Sequence, residues 1–172
     1  GTTVFFNPPL VRNSNHTMTI KYDAYPKRGI YFNGWNNKIT DSESDPTIIR
    51  KQIWTQGQGT DNRYWIPSYD GVNDKLLSSL KINFRSGYTI ISNGEAGEII
   101  KNQDGSITQT YKMVHPHNVY LIMLAIGKYD HLDYPSKNGI TTKQYYYPGT
   151  KSIAEFTYKY SAEMMDWMEM ET

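Results

Sequence analysis

The chain has 172 residues, enough for one domain with a sizeable core, and its formal charge of +1, from 18 basic and 17 acidic residues, leaves no basic stripe for a phosphate backbone. Cysteine is absent, which excludes disulfides and thiolate metal sites, and the longest apolar run, residues 119–126, is far shorter than a membrane span. Neither nucleic acid nor membrane is therefore expected as a partner. The opening residues carry no basic region, apolar run and cleavage site in succession, so the compartment is not read from them.

Fifteen tyrosines and 4 tryptophans favour strands. Phe5 and Phe6 stand before Pro8 and Pro9, which predicts a short strand or arm that cannot continue through the prolines. Asn15-His16-Thr17 is a sequon that matters in a glycosylating host. Residues 17–23 alternate Met18, Ile20 and Tyr22 with polar neighbours and predict a half-buried strand. A turn follows at 26–29, an extended stretch at 30–33, a polar surface loop at 36–46 and a strand at 48–55.

That strand feeds the densest stretch, residues 53–75. If 53–58 is extended, Trp54, Gln56 and Gln58 share one face while Ile53, Thr55 and Gly57 take the other. Paired carboxamides can accept from an ammonium group and donate to a carbonyl, and Gly57 and Gly59 allow close approach. Exposed strand-end glutamines would look the same, and spacing alone favours that plainer reading. Arg63 and Asp70 are expected to hold the loop by an internal ion pair. Asp61, Asp70 and Asp74 do not have calcium-loop spacing.

Leu76, Leu80, Ile82 and Phe84 mark the next strand, and residues 88–92 another that ends at Asn93-Gly94, a hairpin-type signal. Residues 98–101 and 106–114 flank Asp104-Gly105, a second such signal, and the pattern predicts an antiparallel meander. Residues 118–127 read as one central apolar strand covered on both faces, and 141–147 alternate again before Pro148-Gly149. The period then changes. Ser152 and Glu155 read as a capping box, and Ile153, Phe156, Tyr160, Met164, Trp167 and Met168 fall on one helical face. That face needs cover, so the natural polypeptide is expected to continue beyond Thr172. The fold expected is mainly β, an antiparallel sandwich with one C-terminal amphipathic helix.

His16, His115, His117 and His131 form no H-E-x-x-H helix, and His115-Pro116-His117 has no third ligand in view. No G-x-S-x-G elbow or phosphate loop is present.

Five stretches, taken together, resemble landmarks of the zinc-dependent aminopeptidase family that includes aminopeptidase N and leukotriene hydrolase. They are Gly29-Ile30-Tyr31-Phe32, Trp54-Thr55-Gln56-Gly57-Gln58, Arg63-Tyr64-Trp65-Ile66-Pro67-Ser68-Tyr69-Asp70, Ser92-Asn93-Gly94 and Tyr120-Leu121-Ile122-Met123-Leu124-Ala125-Ile126-Gly127. They stand in the family's order and span most of residues 17–168.

The resemblance implies a fragment of a zinc metallo-aminopeptidase that removes N-terminal amino acids from peptides. Residues 1–140 would be part of the saddle-like N-terminal β domain, and residues 141–172 the first strand and helix of the catalytic domain. The family's G-A-M-E-N strand, H-E-x-x-H helix and further zinc-binding Glu do not occur in this sequence. Zinc is thus implied for the parent enzyme, none is expected bound here, and no catalytic or metal-binding residue is assigned. The family positions matching Gln56 and Gln58 help bind the substrate's free amino terminus, which implies a substrate-binding role for both. Some relatives carry Glu where Gln58 stands, implying a weaker hold on the ammonium here. The partners implied are a peptide amino terminus and the catalytic domain of the same chain. Uncovered strand edges would favour a dimer or strand exchange of the fragment. A second reading is a stand-alone β-sandwich binding module in which Trp54, Trp65 and Tyr69 form an exposed platform for a carbohydrate or protein ligand.

Overall fold

β-Branched and aromatic residues recur in short alternating runs, and such runs stabilise a pleated, half-buried surface when a neighbour pairs with them. The computed structural model describes residues 5–35 and 50–171. The polar loop expected at 36–46 and the start of the strand expected at 48–55 lie outside the described residues.

In chain order the strands are β1 (Ile30–Asn33), β2 (Gln52–Thr55), β3 (Ser79–Arg85), β4 (Thr89–Ser92), β5 (Glu95–Ala96), β6 (Ile100–Lys101), β7 (Ser106–Lys112), β8 (Leu124–Gly127), β9 (Asp130–Pro135) and β10 (Thr141–Tyr146). Two helices follow, α1 (Lys151–Tyr158) and α2 (Ser161–Glu171). One sheet has the order β1-β2-β8-β4, a second β3-β7-β5 with β6 also on β7, and β9 and β10 form a third of two strands. Every pairing is antiparallel, so the chain is mainly β as expected.

The first two sheets share one core. Ile30, Ile53, Ile90, Leu124 and Ile126 come from the first and Ile107 and Tyr111 from the second, with Trp35, Trp65, Ile82, Phe84 and Tyr88 packed around them. Burying each such aliphatic side chain contributes about 1.5–3 kcal/mol. Tyr111 fastens the layers by donating its hydroxyl to the Ile90 carbonyl at 2.7 Å.

The path through these sheets is not the expected meander. After β4, the edge strand of its sheet, the chain does not pair back but crosses over, and β5 joins β7 instead. Asn93-Gly94 therefore turns the chain between sheets rather than closing a hairpin. Gly94 has φ +89° and sits on the Lys112 carbonyl, where a Cβ would collide. Asp104-Gly105 does close the β6–β7 hairpin, the Asp104 carboxylate accepting from the Ser106 amide at 3.0 Å.

Three other expectations change. Residues 17–23 join no strand among the described residues and lie exposed, because alternation needs a neighbouring strand, and Tyr22 instead donates its hydroxyl to the Trp65 carbonyl at 2.8 Å. Phe5 and Phe6 likewise lie exposed outside any strand. Leu76 makes only an isolated bridge to His117, and the strand it was expected to open begins at Ser79.

The helical segment is interrupted at Lys159-Tyr160, and α1 starts after Thr150 with no side-chain cap, so Ser152 does not act as the cap. Glu155 pairs instead with Lys151 at 3.5 Å. The apolar face is present and open, with Phe156 75% and Trp167 59% exposed. α2 is tied to the β9–β10 turn, where its Asp166 accepts from the Lys137 amide at 2.7 Å and its Glu169 from the Asn138 side chain at 2.5 Å.

The first sheet and the residues after β10 meet at Gln52. Its Oε1 accepts from the Tyr129 hydroxyl at 3.3 Å and from that of Tyr147, while the Arg50 guanidinium lies 4.6 Å above the Tyr147 ring. Burial pushes the hydroxyls of Tyr111, Tyr129 and Tyr147 above the ordinary tyrosine value. The native state then keeps protons that the unfolded chain releases above about pH 10. Stability is accordingly full below about pH 10 and falls above it. A melting-temperature series from neutral to about pH 11 should show this decline, and Tyr129→Phe should make it shallower.

Candidate functional site

The alternation begun in β2 runs past its last paired residue. Ile53 and Gly57 are buried, whereas Trp54, Gln56 and Gln58 are exposed on the other side. Past Thr55 the register with the residue before β1 continues by a single backbone bond. Thr55 Oγ1 accepts from the Leu124 amide at 2.8 Å, and the Gln56 amide donates to the Gly29 carbonyl at 2.9 Å.

The two expected glutamines come together. Gln56 Nε2 lies 3.4 Å from Gln58 Oε1, a long contact that commits neither side chain strongly. Gln56 Oε1 and Gln58 Nε2 have no partner among the described residues, which leaves one acceptor and one donor side by side.

Sequence reasoning missed the residue that fixes this loop. Asn62 is 0% exposed, and its Nδ2 donates to the carbonyls of Val119 at 2.6 Å and Ile122 at 2.9 Å. Its Oδ1 accepts from the Trp65 indole at 2.9 Å. Those two carbonyls are thereby withdrawn from any ladder. Residues 118–127 consequently start with a 3-10 turn at Val119–Leu121, and only Leu124–Gly127 forms the central strand. Gly57 packs into the same knot, where a Cβ would lie 2.5 Å from the Tyr120 carbonyl oxygen and 2.6 Å from Asn62 Cγ.

The ion pair expected between Arg63 and Asp70 is present. The Asp70 carboxylate, 1% exposed, stands 3.9 Å from Arg63 Nε and accepts from the Arg63 amide at 2.9 Å. Arg63 also donates to the Asp70 carbonyl at 2.9 Å.

Between loop and turn lies a recess of about 280 Å3, with Thr55, Gln56, Gly57 and Gln58 on one side and Tyr120, Leu121, Ile122 and Met123 on the other. No charged side chain lines it. Such an arrangement can hold a group that both donates and accepts hydrogen bonds beside an apolar wall.

The other candidates lie apart from it. Trp54 stacks on Tyr31 at 4.6 Å, Trp65 turns inward to Asn62, and Tyr69 is exposed over Gly71. No ring contact joins the three among the described residues, so the flat platform of the binding-module reading is not formed. His117 is buried against Ser78 Oγ at 2.8 Å and the Asn118 carbonyl at 3.0 Å, while His115 is exposed. Among the described residues no group of three His, Cys, Asp or Glu could hold a metal ion. The zinc implied by the resemblance thus finds no ligand set here, and no chemical step is assigned to it on these residues.

Residues 2–121 match the peptidase M1 N-terminal domain. Glutamyl aminopeptidase of Mus musculus is 27% identical over 156 residues, covering 86% of this chain and 16% of that protein. Glutamyl aminopeptidase of Homo sapiens is 23% identical over 145 residues, 80% of this chain and 15% of that protein. Puromycin-sensitive aminopeptidase of Caenorhabditis elegans is 24% identical over 114 residues, 66% of this chain and 12% of that protein. The chain therefore spans 12% to 16% of the length of these curated relatives. With the domain matched over well more than half of its residues, the chain belongs to the peptidase M1 N-terminal domain family.

Proposed function

We propose that the chain is part of a zinc-dependent aminopeptidase and that Gln56 and Gln58 receive the free amino terminus of a peptide substrate. The observation that carries this is the pair of uncommitted carboxamides, exposed on one face at the mouth of a recess. One amide oxygen can accept from the substrate ammonium while an amide nitrogen donates to the first carbonyl. The three relatives share the word aminopeptidase in their names but differ in the qualifier, and only the shared word is carried to this chain.

In this proposal the zinc and the hydrolytic step reside elsewhere in the parent polypeptide, and this chain supplies recognition without hydrolysis. Residues 141–172 would open the catalytic domain. The division then falls in the turn between β9 and β10, which pair along their whole length.

The test is made in the complete enzyme. Gln56→Ala and Gln58→Ala should each lower kcat/KM for substrates with a free α-amine by roughly 10- to 100-fold, the worth of a hydrogen bond to a charged group. N-acetylated analogues should lose almost nothing, and Gln58→Glu should tighten the hold on the amine. Unchanged discrimination between free and blocked substrates in both alanine variants would sink this reading.

The chain by itself is further proposed to self-associate. Support comes from the open helical face, where Phe156 is 75% and Met170 74% exposed. Light scattering over a concentration series should show a rising mass, and a monomer throughout would count against it.

A further inference from the structure

The wall of the recess opposite the glutamines has no part in the reading above, yet it is as firmly held as they are. The Met123 amide donates to Asn93 Oδ1 at 2.6 Å, and the Met123 carbonyl accepts from Ser92 Oγ at 2.7 Å. The Leu121 amide donates to the Asn118 carbonyl at 3.1 Å, and the Ile122 carbonyl is taken by Asn62 at 2.9 Å. With these backbone groups spent, the wall offers chiefly side chains. Ile122 is buried, whereas Leu121 is 48% exposed and Met123 half-buried, so these two present apolar surface beside the amides.

A ligand whose ammonium group rests on Gln56 and Gln58 carries its first side chain one carbon away from the nitrogen. That side chain must lie within a few ångströms of the amides, and the neighbouring surface is Leu121 and Met123. The surface is neutral, flexible at Met123 and without a cation or anion among the lining residues.

We propose that Leu121 and Met123 are specificity-determining residues that select a neutral, apolar first side chain and set how long it can be. This rests on the amine-binding reading of Gln56 and Gln58. Shortening either residue deepens the recess and removes contact with a long aliphatic side chain, while a short one never reached the wall. A hydrophobic pocket discriminates by roughly tenfold or more for each methylene it fills.

The experiment measures kcat/KM in the complete enzyme for alanyl, leucyl, methionyl, phenylalanyl and glutamyl substrates of one leaving group. Leu121→Ala and Met123→Ala should lower the leucyl-to-alanyl ratio by about tenfold and shift preference toward the phenylalanyl substrate. Leu121→Met, which keeps bulk and neutrality, should preserve the ranking. Leu121→Lys should raise the glutamyl substrate relative to the leucyl one. Melting curves confirm that each variant is folded, and Leu121 is exposed enough for all three of its replacements to be accommodated.

If every folded variant keeps the native ranking, the proposal is overturned. The N-acetylated analogues separate the two possible failures. Should the glutamine variants weaken discrimination against blocked amines while the wall variants leave the ranking intact, the wall assignment alone falls. If neither set moves its own readout, the amine-binding reading falls and takes the wall assignment with it.

Discussion

Asn62→Ala is expected to lower the unfolding free energy by about 4 kcal/mol and the melting temperature by roughly 10 °C. The substitution leaves the Ile122 carbonyl and the Trp65 indole without their Asn62 partner and takes one of two donors from the Val119 carbonyl, which keeps the Ile122 amide at 2.9 Å, at a residue that is 0% exposed. Each buried group left unpaired costs about 1–3 kcal/mol, and partial relaxation of the turn recovers some of that. Asn62→Asp tests the cause. It retains an acceptor for Trp65 but sets a carboxylate against two carbonyl oxygens, so it should be at least as damaging as alanine. Urea denaturation that placed both variants within about 0.5 kcal/mol of the parent would show that the knot contributes little.

Gly57→Ala should destabilise by about 2–3 kcal/mol and reduce use of free-amine substrates as well. The reason is space rather than backbone conformation. The added carbon would meet the Tyr120 carbonyl oxygen at 2.5 Å and Asn62 Cγ at 2.6 Å, distances that real Cβ atoms do not reach. Relief requires the loop to move away from the turn, which separates the glutamines from Leu121 and Met123. Residues 57 and 62 lie against each other, so the effects of the two substitutions should not add. In an Asn62→Ala background one of the two obstacles has gone, and the further loss from Gly57→Ala should shrink measurably. A double-mutant cycle by denaturation reads that coupling directly, and full additivity would mean that Gly57 and Asn62 do not meet in solution.

The sequence was most informative where the deciding physics was local. Trp54, Gln56 and Gln58 share a face because a two-residue period follows from backbone geometry alone. Arg63 and Asp70, close along the chain, found each other as expected. Turn signals identified turns but not what they join. Asn93-Gly94 bends the chain whether the next strand pairs back or crosses to another sheet, and the outcome depends on β7, a later segment that takes β5 as its neighbour.

Residues 118–127 show the same limit from the other side. Their apolar character is equally compatible with a strand or a turn, and the choice is made by an amide arriving from Asn62. Residues 17–23 carry strand alternation without a strand to pair with among the described residues. As for the site, the resemblance singled out Gln56 and Gln58 and also covered residues 120–127. Nothing in either stretch reveals that Leu121 and Met123 stand opposite the amides, because that depends on how distant segments pack.

The ties across the recess have a kinetic consequence. Asn62 reaches Val119 over 57 residues and Thr55 reaches Leu124 over 69, whereas β9 and β10 need only close a short turn. Loop-closure entropy makes such distant pairings late events in folding. During vectorial synthesis the two glutamines emerge long before the segment that faces them, and for that interval they are solvated side chains on an unfinished sheet. On the proposed amine-binding role of Gln56 and Gln58, the grip on an amino terminus is among the last properties the domain acquires, and a partly folded chain lacks it even with β1 and β2 already paired.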